Sequence, residues 1–200
     1  NMGGNQRPSP RKSVFRLLHR PAVSVGLMAC GLFFMGQFAL FTYVRPFLET
    51  VTHVSPSGLS LILLTIGIAG FIGTLIVALV LNAAFYLTLM AIPLLMALIA
   101  GVLMLTGDSL WIVALLLGFW GMLATAAPTG WWTWIARTLP EDAEAGGGLM
   151  VAVIQLSIAL GSTAGGVVFD TFGWQSTFAL SSILLLSAGV LTFTTSRHRK

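Results

Sequence analysis

Six long apolar runs, separated by short polar breaks, constrain this chain more than any other feature of its sequence. A hydrocarbon core about 30 Å thick needs about 20 predominantly apolar residues from a helix that crosses it. Runs of that length fit at 22–43, 58–81, 85–105, 110–134, 146–169 and 175–193. The narrowest break is the second, where only Asn82 interrupts the apolar sequence. Charged residues make up only 8% of the chain and hydrophobic residues 56%, whereas a soluble domain averages about 25% charged. A closed β-barrel requires alternating polar and apolar residues; these runs are continuous, which leaves helices as the spanning element that pairs its own backbone. The expectation is an all-α integral membrane protein with six transmembrane helices over residues 21–194.

The flanks differ in kind. Residues 1–20 are polar and basic, with Pro8 and Pro10, and read as a tail or loop. The segment from Ser13 to Arg20, with Phe15, Leu17 and Leu18 among basic residues, fits a short interfacial helix. Residues 195–200 form a second basic tail. The first apolar run is too long for a signal peptide, and five more follow it. Lysine and arginine placement sets orientation: with the N-terminal tail in the cytoplasm, Arg7, Arg11, Lys12, Arg16, Arg20, Arg137, Arg197, Arg199 and Lys200 lie inside and only Arg45 outside. Both termini of the segment are therefore expected in the cytoplasm. The pI near 10.0 follows from this topology signal, and no nucleic-acid partner is expected.

The spans offer little catalytic chemistry. Glu49, Asp108, Glu141, Asp142, Glu144 and Asp170 all fall in loops or at span ends, so the chain has no intramembrane proton relay of its own. Cys30 is alone, which excludes an internal disulfide and a cysteine-based metal site. No HExxH, GxSxG or Walker sequence is present. An enzyme is not expected, nor a metal or bound cofactor.

What remains inside the spans is amide, aromatic and glycine chemistry. Gln37 is costly in hydrocarbon unless paired; two readings fit it, a hydrogen bond between helices and a polar contact facing a cavity. Phe41 lies one turn later on the same face, with Phe33 and Phe34 one turn earlier, a setting that suits a planar, hydrogen-bonding ligand. Gln155 poses the same choice, with Ser162 on its face. In the fourth span Trp120, Ala124, Ala127, Trp131 and Trp134 form one helical stripe, and Pro128 removes a backbone hydrogen bond. Trp132 and Trp134 are expected in the interfacial aromatic belt. Trp120 lies deeper and is a candidate cavity wall. Gly161 and Gly165 have GxxxG spacing, which favours close helix packing or a sliding surface, and Arg45 fits an interfacial anchor or a gating pair with Glu49. Clustered small residues at Gly67–Gly73 and Gly161–Gly166 make a faint internal echo of two three-helix units, an arrangement common in secondary transporters.

The string GQFALFTYVRP from Gly36 to Pro46 resembles the seventh helix of bacterial purine ribonucleoside efflux pumps, in the drug:proton antiporter branch of the major facilitator superfamily. FRLLHRP at Phe15, FIGT at Phe71, WG at Trp120, PTGWWTWIAR at Pro128 and VAVIQL at Val151 extend the resemblance over nearly the whole chain. It implies the C-terminal six-helix half of a twelve-helix exporter, built of two inverted three-helix repeats, in the bacterial inner membrane. The start at Asn1 rather than methionine agrees with a piece of a longer protein. The implied partners are the lipid bilayer, an N-terminal six-helix half and a small solute such as a nucleoside, drug or sugar. A proton gradient would supply the energy, through a carboxylate in the N-terminal half. Gln37, Phe41, Trp120 and Gln155 become the expected substrate-cavity residues, with Arg45, Pro128, Gly161 and Gly165 in gating or packing. The family's basic residue near Asn82 is missing. The alternative is a complete six-helix protein acting as a homodimeric transporter or structural partner.

Overall fold

A computed structural model describes residues 15–198. Much of the N-terminal tail and the last two residues, including Arg7, Arg11, Lys12, Ser13, Arg199 and Lys200, lie outside the described residues. Among the described residues, a helical turn at 15–18 is followed by seven helices: α1 Pro21–Phe41, α2 Val44–Thr50, α3 Pro56–Ala83, α4 Phe85–Thr106, α5 Leu110–Thr138, α6 Ala143–Phe172 and α7 Trp174–Arg197. Six of the helical segments are long and apolar enough to cross a membrane, the first counted from Pro21 through α2 to Thr50.

Local chemistry explains where the helices stop. The first apolar run extends on paper to Tyr43, yet α1 ends at Phe41 and the short α2 replaces an expected loop. Pro46 has no amide hydrogen and its ring would collide with the Thr42 carbonyl if one helix ran through, so the chain turns at Thr42 and Tyr43. The break near Asn82 is a single extended residue, Ala84, which ends α3 and begins α4. The Thr88 hydroxyl donates to the carbonyls of Ala84 (2.6 Å) and Val80 (3.3 Å), occupying a carbonyl at the C-terminal end of α3. Gly173, with φ of 96°, joins α6 to α7 in a conformation that side chains rarely adopt.

In chain order the spans form two triplets, α1–α3–α4 and α5–α6–α7, which pack across each other in equivalent ways. The first helix of each triplet lies against the middle helix of the other: α1 against α6, and α5 against α3. The third helices, α4 and α7, lie against each other. Glycines make both cross-triplet contacts. A Cβ at Gly161 would collide with the Met35 carbonyl, and one at Gly165 would stand 2.6 Å from the Ala39 carbonyl oxygen. In the equivalent contact, a Cβ at Gly121 would stand 2.6 Å from the Ile66 carbonyl oxygen and one at Gly70 2.6 Å from the Thr125 hydroxyl. Both pairs advance four residues on each helix together, so both are parallel contacts. The sequence echo thus marks the middle helices of two repeats, each glycine-faced towards the first helix of the other.

Hydroxyls stitch α7 to its neighbours. Ser181 donates to the Gly36 carbonyl on α1 (2.6 Å), Ser182 to Ala97 on α4 (2.9 Å) and Thr177 to Gly165 on α6 (2.9 Å). At the end of the bundle away from the basic residues, Tyr43 donates to the Ser162 carbonyl (2.7 Å) and stacks on Phe169. Tyr43→Phe is expected to cost about 1 kcal/mol through that lost hydrogen bond. The thermal midpoint of the purified protein should then fall by about 2–4 °C; an unchanged midpoint would show that the hydroxyl contributes nothing to the α1–α6 contact.

Candidate functional site

The packing order leaves one side of the bundle open. Read around the bundle, the neighbours are α6, α1, α7, α4, α5 and α3, so α3 and α6 flank the front of α1 and α5. These two flanking helices are the least buried of the spans. Each carries a strip of small and polar residues on an exposed face: Ser60, Gly67, Thr74 and Ala78 on α3, and Gly148, Ala152, Gln155 and Ala159 on α6. A Cβ at Gly67 or Gly148 would meet nothing within 4 Å. Helix faces that contact lipid carry large apolar side chains, whereas small residues mark faces that approach other helices or a cavity. Gln155 is exposed, with the small residues Ala152 and Ala159 about one turn to either side of it.

Gln37 occupies a different environment. At about 100° per residue, it shares a face of α1 with Gly26, and Gly26 lies directly against the Trp134 ring of α5. The Gln37 Oε1 atom is buried and has no hydrogen-bond partner. Trp120 is fully buried on the same stripe of α5 as Trp134, and its Nε1 is likewise without a partner. These are the only two such side-chain atoms among the described residues, one an acceptor and the other a donor. From the Gly26–Trp134 contact, at about 1.5 Å per residue along antiparallel α1 and α5, Gln37 lies about 17 Å away and Trp120 about 21 Å. The two orphan atoms thus fall within one helical turn of the same depth, on facing helices.

Next to Gln37, towards the open side, come Phe34, Phe38 and Phe41. Phe34 is buried, Phe38 half-buried and Phe41 37% exposed. Phe38 was not anticipated, although its spacing of one turn from Phe34 and Phe41 marks it. This part of the chain therefore offers an aromatic row, one amide and one indole N–H. An unpaired buried polar atom costs about 1–3 kcal/mol, which is tolerated where a ligand completes the pairing.

The remaining residues have other surroundings. Pro128 lies within α5, between Trp120 and Trp134. Arg45 pairs with Glu49 at 2.9 Å across one turn of α2, and both side chains are well exposed, so the pair is worth only about 0.3–0.5 kcal/mol. Trp134 departs from the aromatic-belt expectation: it is 1% exposed, packed on Gly26 and edge-to-face with Trp131. Trp132, at 41% exposed, is the outward-facing member of the group. A cavity of about 580 Å³ at the basic end contains none of Gln37, Phe41, Trp120 or Gln155.

Six spans in two cross-packed triplets, with one open side, are the six-helix repeat architecture found in transporter folds. The chain belongs to the major facilitator superfamily, whose family description, Major Facilitator Superfamily, matches residues 27–200. It is a multi-pass membrane protein of a transporter family and not an enzyme. It is 60% identical over 198 residues to the transcription regulatory protein OpdE of Pseudomonas aeruginosa, covering 98% of this chain and 49% of that protein. It is 42% identical over 180 residues to the purine ribonucleoside efflux pump NepI of Salmonella enteritidis, covering 90% of this chain and 45% of the pump. NepI of Salmonella typhimurium matches to the same extent. The chain spans about half the length of the curated relatives it matches.

Proposed function

We propose that this chain forms the C-terminal half of an exporter of small planar solutes in the bacterial inner membrane, with both ends of the segment cytoplasmic. The observation that carries the proposal is the lone acceptor of Gln37 and the lone donor of Trp120, set at one depth beside the row Phe34, Phe38 and Phe41. A heteroaromatic ring with adjacent donor and acceptor groups satisfies both and stacks on the phenylalanines. Similarity to proteins named as purine ribonucleoside efflux pumps favours a purine nucleoside. Gln155 and the small strips of α3 and α6 face the partner half, which would close the cavity and rock against this one. Inward proton flow would drive export. The described spans hold no carboxylate at mid-depth, so the coupling acid is assigned to the partner half.

A second reading comes from the relative named as a transcription regulatory protein. A membrane protein of this fold would influence transcription through the solute it moves. Efflux of labelled purine nucleoside from cells expressing the full-length protein tests the first reading. Gln155→Ala is expected to reduce efflux about threefold to tenfold at normal expression, the range for one lost ligand hydrogen bond. Unchanged efflux would remove Gln155 from the cavity.

A further inference from the structure

The cavity at the basic end is a different structure from the open side. It has a volume of about 580 Å³ and is bounded by the ends of four spans. Arg20, Pro21 and Ala22 come from the start of α1, Tyr86 from the start of α4, Arg137 and Thr138 from the end of α5, and Arg197 and His198 from the end of α7. The Trp134 ring, seated on Gly26, also lines it. No carboxylate lines it.

Among the described residues, the arginines that line it have no acidic partner to account for them. Among the described residues, the ion pair at this end joins Arg16 to Asp142 at 3.7 Å, outside the cavity. Arg137 lies over the Phe85 ring at 4.4 Å and Arg197 over the Phe193 ring at 5.1 Å. These contacts hold the guanidinium groups in place and leave their charge uncancelled. Helix ends offset each other here. The C-termini of α5 and α7 each bring about half a negative charge, and the N-termini of α1 and α4 about half a positive charge. Three arginine charges therefore remain in a concave site, with hydroxyls of Tyr86, Thr138 and Thr195 around them. Guanidinium forks match phosphate oxygens geometrically. Cavities of about 300–1,000 Å³ accommodate small-molecule ligands, so the space admits more than one phosphate group.

We propose that this cavity binds a phosphate-bearing anion, and that the headgroup of an anionic phospholipid is its source. The cavity lies at the ends of membrane-spanning helices, where headgroups are concentrated, and basic pockets between such helices favour anionic lipids. The site is independent of the transport reading, because binding is measured without turnover.

The test uses the purified full-length protein in phosphatidylcholine nanodiscs. One arm adds phosphatidylglycerol and another adds inorganic phosphate; retained lipid is counted by native mass spectrometry and the thermal midpoint is followed. Phosphatidylglycerol is expected to bind and raise the midpoint. Arg20→Gln and Arg137→Gln should each weaken its apparent affinity about tenfold, the change for one lost charge-assisted hydrogen bond, while Arg137→Lys should retain most of it. Arg20 is exposed at the start of α1, so Arg20→Gln remains informative if Arg137→Gln reduces helical content. Saturation by inorganic phosphate at similar affinity would keep the phosphate chemistry and assign the source to soluble anions. Binding of neither probe, or binding unchanged by both glutamine variants, would overturn the proposal.

Discussion

Gly161→Leu in the full-length protein is expected to remove most of the folded form from the membrane fraction. A Cβ at Gly161 would run into the Met35 carbonyl, and one at Gly165, one turn on, would stand 2.6 Å from the Ala39 carbonyl oxygen. Both neighbours are backbone, so no rotamer change relieves the clash; α1 must move away from α6. That movement would also break the Tyr43 bond to the Ser162 carbonyl and the Thr42–Ser162 hydroxyl contact of 3.0 Å. Inserting even a few methylenes into a packed core costs about 1–3 kcal/mol. Leucine against fixed backbone should exceed that, a large part of a total stability of about 5–15 kcal/mol. Gly101→Leu on α4 is the control: a Cβ there meets nothing within 4 Å, and leaving glycine gains about 0.8 kcal/mol of helix propensity. Fluorescence-detected size exclusion and thermal midpoints would show the contrast. A monodisperse Gly161→Leu protein with an unchanged midpoint would refute the α1–α6 approach.

The second large effect is expected at Gln37, where stability and function should move in opposite directions. Leucine fills similar space and removes a buried acceptor that has no partner. Such an orphan costs about 1–3 kcal/mol, so Gln37→Leu should hold or raise the thermal midpoint. If the exporter proposal holds, transport should fall, with kcat/KM for a purine nucleoside down about tenfold, the change for one lost ligand hydrogen bond. A purely structural glutamine predicts the reverse, a lower midpoint with transport lost only in proportion to folded protein. Trp120→Phe removes the donor while keeping a ring. If one substrate spans both atoms, the double variant should lose less than the product of the two single effects.

How much of this was legible in the sequence depends on the range of each interaction. Helix content and spans follow from apolar run length, which the bilayer sets, and the glycine spacing at Gly161 and Gly165 follows from the helical repeat. The turn at Thr42 and Tyr43 is encoded by Pro46 and coincides with the end of the first apolar run at 43, whereas the short α2 beyond it has no apolar run to mark it. Trp134 and Trp132 look alike in sequence. Only the approach of Gly26, from a helix far away along the chain, buries one and leaves the other facing outward. The orphan status of Gln37 and Trp120 was likewise hidden, because it depends on what other helices fail to supply. Phe38 and the small strips on α3 and α6 had the right periodicity, but so do many lipid-facing rows; the order of packing separates the two.

The most direct test of the exporter reading is uptake of a radiolabelled purine nucleoside into inside-out membrane vesicles containing the full-length protein. Acidification of the vesicle lumen is expected to drive accumulation, a protonophore to abolish it, and Gln37→Leu to reduce it about tenfold at equal protein. Accumulation that ignores both the gradient and Gln37, or its absence across a panel of planar solutes, would contradict a proton-driven exporter built around this pair.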